Sequence, residues 1–166
     1  MSAGGRLARA GFTAFGWLPL RARRVAIRWW GPSYTVGALC VIVDGSDVLL
    51  ARHTYREGWS SPGGLLGRGE LPERSAVREV QEEVGLDVDL EEGGPVPVVW
   101  PGFRRIDLVY RGRLAPGARR DDAAVRSAEL REVRWCPLDD LPDLESATAE
   151  ALVALKLVGG SGAGSP

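Results

Sequence analysis

Histidine and cysteine are scarce in this chain: His53 stands alone, and the only cysteines are Cys40 and Cys136. A single histidine argues against a metal centre built on imidazole. Two cysteines in apolar, strand-like surroundings read as buried thiols, not as a disulfide framework or a zinc site. Lysine is nearly missing too, since every basic residue except Lys156 is arginine. No lysine cluster is therefore available to grip nucleic acid, and nucleic acid is not expected as a partner. Long hydrophobic runs are also lacking. The apolar stretches before residue 31 are interrupted by arginines and too short to span a membrane. They make a poor signal peptide, because no small-x-small cleavage site follows them. Acid is absent from residues 1–43, which carry six arginines, while the rest of the chain holds 15 basic and 22 acidic residues. The body is thus acidic, as suits a cation-binding surface, and the leading arm is basic.

What is present is an ordinary globular composition, 45% apolar and 26% charged over 166 residues. That implies one domain with a real core. Its chemistry is concentrated between Gly64 and Leu86, in the pattern Gly-x5-Glu-x7-Arg-Glu-aliphatic-x-Glu-Glu-x-Gly-aliphatic. Pro72 suits the first position of a helix, where its missing N–H costs nothing. Gly85 suits the left-handed position just past the end, with Leu86 free to pack back. Within that helix Val77, Val80 and Val84 share one face for docking on a core. Glu79, Glu82 and Glu83 fall at i, i+3 and i+4 and are expected to cluster on another. Three adjacent carboxylates repel unless something positive sits among them. A hard divalent cation with oxygen ligands, Mg²⁺ or Mn²⁺, answers that need. Arg78, four residues before Glu82, can pair with a carboxylate and fix its orientation. Gly63 and Gly64 let backbone approach closely, so a Gly64 carbonyl can join the metal shell. Leu71 stands where a capping hydroxyl would be useful, so the first turn should fray or borrow a cap from Glu70, at a cost of about 1 kcal/mol. A solvated, Glu-rich amphipathic helix would explain the charges alone. It would have no use for the fixed glycines, Glu70 and Arg78.

This stretch resembles the Nudix box, with every defining position filled; chance alone would match it below about 10⁻⁸ per window. The flanks agree. His53-Thr-Tyr-Arg56 and Trp59-Ser-Ser-Pro62-Gly63-Gly64 resemble the family's approach to its box, and Trp135-Cys-Pro-Leu-Asp-Asp-Leu-Pro142 resembles its usual close. The resemblance implies an α/β fold, a Nudix-type α/β/α sandwich with a mixed β-sheet, over residues 33–158. A basic helical arm (1–32) precedes it and a flexible tail (159–166) follows. It implies a metal-dependent hydrolase cleaving a phosphoanhydride in a nucleoside diphosphate linked to another moiety, whether a nucleotide sugar, ADP-ribose or a nucleoside triphosphate. The metal set would be Gly64, Glu70, Glu79, Glu82 and Glu83. Glu82 or Glu83 is the first choice for general base, Glu129 the best distal candidate, and Asp121 and Asp122 stand behind it. Arg78 orients carboxylates. Tyr55, Arg56 and Trp59 are the substrate-contact candidates, although Trp59 can equally plug the sheet edge. The alternative from another class is a Nudix domain that binds nucleotide or protein without turnover.

Strands are expected at 33–43 and 48–52, joined by the Asp44-Gly45 turn, and at 86–90, 96–100, 105–113 and 129–136. A loop is expected at 114–126 and a last helix at 144–157. In the arm, helices are expected at 6–18 and 20–30, the second with Trp29 and Trp30 on one face and Arg21, Arg24 and Arg28 on another. Such an arm can pack on the domain or a second subunit, lie on an anionic membrane, or serve as a targeting segment. The location expected is cytoplasmic, with membrane-peripheral contact as the variant.

Overall fold

The computed structural model describes residues 33–159, with Pro19 the one described residue before them. The expected helices at 6–30 and the tail from residue 160 lie outside the described residues. Seven strands and two helices follow in order. These are β1 (Thr35–Asp44), β2 (Asp47–His53), β3 (Gly63–Leu65), α1 (Pro72–Val84), β4 (Val88–Leu90), β5 (Val96–Trp100), β6 (Arg105–Leu114), β7 (Leu130–Pro137) and α2 (Ser146–Ala154). All seven strands belong to one sheet, ordered β4-β6-β1-β2-β7, with β3 on β1 and β5 on β6. It is mixed because β1 and β6 run parallel, with Gly37 opposite Asp107 in their register, while the other pairs are antiparallel.

Alternation along β1 builds the two layers. Ala38, Cys40 and Ile42 point to the face covered by Ala76, Val80 and Val84 of α1. Leu39, Val41 and Val43 point to the other face, covered by Ala151 and Leu152 of α2. A strand buried on both sides reads as an unbroken apolar run, as this one does. Both cysteines are free and buried, and burial pushes the Cys40 thiol up to about 12. Among the described residues no helix is long and apolar enough to cross a membrane.

Two local features place the site. First, β1 and β2 pair only beside their turn, at Val43–Val48 and Asp44–Asp47, and then diverge. The chain from Trp59 to Leu65 fills the fork: Ser60 bonds Ala51 of β2, and β3 bonds β1 through Gly37, Ala38 and Leu39. Second, α1 starts at Pro72 with no side-chain cap at Leu71. Glu70 does not cap it. Its Oε2 accepts from the Gly67 N–H at 2.7 Å instead, closing the loop before the helix. At the other end Gly85 adopts φ 72° and donates its N–H to the Val80 and Gln81 carbonyls. The helix is thereby fixed in length, and its Glu79 and Glu83 face the Gly63-Gly64 backbone.

Candidate active site

Glu79 and Glu83 lie one turn apart on α1 and share a cavity of about 380 Å³ with Gly63, Gly64, His53, Tyr55, Arg56, Arg105, Glu129 and Glu145. Its ionisable lining sets four carboxylates against two guanidinium groups, an excess of two negative charges when all are ionised. Glu83 is 9% exposed and its Oε2 accepts the Gly63 N–H at 3.1 Å. Burial, aided by the charges of Glu79 and Glu129, raises its carboxyl from 4.5 to about 7 against the opposing Gly63 bond and Arg56. Glu79 packs directly over Gly64, and a Cβ there would overlap its carboxylate. Gly64→Ala is therefore expected to cut kcat/KM by about 10- to 100-fold through a displaced Glu79. Its Tm should change little, because the group in the way is the end of a flexible side chain. Steady-state kinetics beside a thermal melt check both halves.

Arg78 holds the helix carboxylates in order. It donates from Nε to Glu70 Oε1 at 2.8 Å, from Nη2 to Glu70 Oε2 at 3.1 Å and from Nη1 to Glu82 Oε2 at 2.9 Å, and Nη1 lies 2.9 Å from Glu79 Oε1. The bidentate Arg78 bond, with help from Gly67, holds the Glu70 carboxyl down at about 2. The same pairing raises the Arg78 guanidinium.

Of the expected trio, Glu79 and Glu83 line the cavity and Glu82 does not. At about 100° per residue, Glu79 and Glu83 lie about 40° apart around the helix, whereas Glu82 lies about 60° from Glu79 and about 100° from Glu83. Glu82 is accordingly 60% exposed, paired with Arg78, and absent from the cavity lining. Among the described residues no three acidic, histidine or cysteine side chains converge to hold an ion. Glu70 is likewise occupied by Arg78 and Gly67 and does not line the cavity. Two carboxylates, a neighbouring glycine backbone and a doubly negative pocket still fit Mg²⁺. That ion is commonly bound by one or two carboxylates and completes its shell with water and phosphate oxygens.

The distal candidates separate. Glu129 reaches the cavity from the entry to β7 and accepts the Tyr55 hydroxyl at 3.0 Å, while Arg56 Nη2 donates to that hydroxyl at 3.2 Å. Arg56 also pairs with Glu145 at 3.2 Å. Asp121 and Asp122 sit in a 3-10 turn, Arg120–Asp122, away from the cavity lining. Trp59 is 6% exposed, in the core around Leu39, Val41 and Leu152. Arg134 stacks on its ring at 4.4 Å, and its backbone bridges to Leu144. It anchors the fork beside the site and does not line the carboxylate cavity.

Sequence reasoning missed His53, Arg105 and Glu145. His53 is 5% exposed, with an Nδ1 that finds no partner. Burial, then Arg56, lowers its pKa, so at neutral pH it is uncharged. Burial likewise raises the Glu145 carboxyl, against Arg56 and Arg105. No local pattern marks these residues; β2 and β6 bring in His53 and Arg105, and the turn before α2, bonded to the Trp59 carbonyl, brings in Glu145.

A mixed sheet between two helical layers, with one helix presenting carboxylates to a glycine-lined strand, defines a Nudix-type domain. Comparison agrees: the NUDIX domain family matches residues 33–156, and the chain belongs to it. Among its relatives is the NAD-capped RNA hydrolase NudC of Pseudomonas aeruginosa, 31% identical over 140 residues. That match covers 81% of this chain and 48% of NudC, so the chain spans about half the length of that relative. A MutT-like protein of Streptomyces ambofaciens is 31% identical over 134 residues, covering 79% of this chain and 81% of that protein. Among solved structures, an ADP-ribose pyrophosphatase from Streptococcus suis superposes with a TM-score of 0.61 at 26% identity, over 74% of this chain and 89% of that one.

Proposed function

We propose that the protein is a divalent-metal-dependent hydrolase that cleaves a phosphoanhydride in a nucleoside diphosphate linked to a second moiety, a nucleotide sugar, ADP-ribose or a nucleoside triphosphate. The observation that carries this reading is the shared cavity of Glu79, Glu83, Glu129, Arg56 and Arg105 against the Gly63-Gly64 backbone. Glu79 and Glu83, with the Gly64 carbonyl, would hold Mg²⁺ or Mn²⁺, with Glu82 beside them on Arg78. When bound, the ion supplies charge neutralisation to the diphosphate and acidity to water. Arg56 and Arg105 neutralise and orient the remaining phosphate oxygens. Water attacks one phosphorus in line, a new P–O bond forms, and the anhydride P–O bond breaks with its electrons on the leaving phosphate. Glu129 takes the water's proton, held in place by the Tyr55 hydroxyl. Arg78 keeps the carboxylates oriented without touching substrate.

Glu129→Gln is expected to lower kcat by about 10²-fold or more, within the range for a lost general base, with KM little changed. Kinetics at saturating Mg²⁺ measure it; a rate within threefold of wild type removes Glu129 from the proton transfer. The reading as a whole is tested by incubating the full chain with a panel of nucleotides and Mg²⁺ or Mn²⁺, following release of phosphate or nucleoside monophosphate. Metal-dependent turnover of at least one class is expected. Nucleotide binding without turnover would favour the non-catalytic alternative.

A further inference from the structure

Tyr55 and Arg56 line both the carboxylate cavity and a separate cleft of about 730 Å³. The two spaces differ in the sign of their charge. The cavity carries a negative excess, whereas the cleft sets Arg52, Arg56 and Arg131 against Glu57 and Asp143, three positive charges against two negative. Its volume falls in the range of small-molecule sites. Arg56 is already engaged by Glu145 and the Tyr55 hydroxyl. Among the described residues Arg52 and Arg131 form no ion pair, and the Arg52 Nε is buried without a partner. A donor shut off from water and left unpaired is destabilising. A phosphate oxygen is an acceptor of the right charge and geometry for such a group.

Strand geometry builds this cleft. Between Arg52 and His53 the partner on β7 jumps from Glu132 to Leu130, so Arg131 falls in a bulge with no cross-strand partner. Bulges re-aim side chains out of strict alternation, and here Arg131 joins Arg52 in one lining. The backbone lining at Trp59 is tied down on both sides. Its N–H donates to the Asp143 carbonyl and its carbonyl accepts the Glu145 N–H, each at 2.9 Å. The cleft residues Thr54 and Tyr55 also hold Glu129. Thr54 donates its N–H to the Glu129 carbonyl at 2.8 Å, and the Tyr55 hydroxyl donates to the Glu129 carboxylate at 3.0 Å. Arg56 in turn donates to that hydroxyl at 3.2 Å. A ligand that engages Arg56 from the cleft therefore acts on the group that fixes Glu129.

We propose that the Arg52–Arg131 cleft is a regulatory site for inorganic phosphate, separate from the metal cavity. The anion bridges Arg52 and Arg131 through charge-assisted hydrogen bonds and recruits Arg56, which then leaves Glu145 and the Tyr55 hydroxyl. With Arg56 gone, the hydroxyl no longer holds its proton toward Glu129, and the Glu129 carboxylate loses its fixed position. Occupancy of the cleft thus slows turnover without any contact between phosphate and the metal carboxylates. The restraint on turnover rests on the phosphoanhydride reading; the binding of phosphate does not.

The test uses the full chain, with Arg52→Gln and Arg131→Gln. Neither side chain enters the proposed hydrolysis, and Arg131 is exposed, so its variant should keep the fold and the basal rate. Binding is read by calorimetric titration of inorganic phosphate in EDTA, where the metal-free carboxylate cavity repels anions. The wild type should show saturable binding, and each variant should raise Kd by about tenfold or more. Turnover is followed separately with Mg²⁺, by release of nucleoside monophosphate from the best nucleotide of the panel. Phosphate should lower the wild-type kcat, so that saturating nucleotide does not relieve the inhibition, and Arg131→Gln should resist it. No saturable binding in the wild type, or an unchanged Kd in both variants, overturns the site. Phosphate that raises KM and leaves kcat untouched competes at the metal cavity and overturns the regulation. A wild type that binds phosphate through Arg52 and Arg131 but hydrolyses no nucleotide sinks the phosphoanhydride reading and leaves the site standing.

Discussion

Glu83→Gln is expected to lower kcat by at least about 10²-fold and, in the same protein, to raise stability in the absence of metal. The two effects have one cause. Glu83 is held among Glu79 and Glu129 in a buried pocket, so its carboxyl titrates near 7 instead of 4.5. A carboxylate whose folded pKa is raised contributes stability that is fully present below about 4.5 and lost as pH rises through about 7. At roughly 1.4 kcal/mol per unit, the loss is on the order of 3 kcal/mol. The metal-free wild type should therefore weaken between pH 5 and 8. Glu83→Gln, which keeps the acceptor for the Gly63 N–H and cannot ionise, should weaken much less. Urea unfolding in EDTA at the two pH values measures this. An equal difference between variant and wild type at both would disconnect the buried charge from stability. Divalent cation should act in the opposite sense, stabilising the wild type more at pH 8, because binding displaces the Glu83 proton.

Arg78→Ala should cost about 10- to 100-fold in kcat/KM, the scale typical of groups that orient metal ligands. One guanidinium serves Glu70, Glu79 and Glu82 at once, so its removal frees the loop closed by Glu70 and the Glu79 carboxylate together. Arg78→Lys should recover little, because an ammonium cannot reproduce the forked contact with both Glu70 oxygens. Mn²⁺ titration should show weaker affinity in both variants. Full recovery by lysine would mean that positive charge alone suffices there and that the bidentate geometry is idle.

Much of this was legible locally. Pro72 and Gly85 bracket α1 at its observed ends because a missing N–H and a left-handed cap are local chemistry. The strands around 35–44, 47–53 and 130–137 announced themselves through apolar and β-branched content. The short strand β3 did not, since Gly63-Gly64 carries no strand propensity and is held by tertiary pairing with Leu39 and Ala38. Helix spacing groups the three glutamates but does not give their exposure: Arg78 Nη1 holds both Glu79 and Glu82, yet Glu82 stays at the surface while Glu79 lines the cavity. Trp59 offered two readings that only the bridge to Leu144 could separate. Arg105, Glu145, His53 and Asp107 come from positions remote in sequence, and the parallel register of β1 and β6 sets Asp107 opposite Gly37.

Glu79 and Glu83 are proposed to hold a divalent ion jointly beside the Gly64 backbone. Anomalous diffraction from crystals grown with Mn²⁺ tests it most directly. A peak within coordination distance of carboxylate oxygens from both Glu79 and Glu83 is the result expected. A Mn²⁺ peak bound elsewhere, with these two carboxylates ligating nothing, would contradict it.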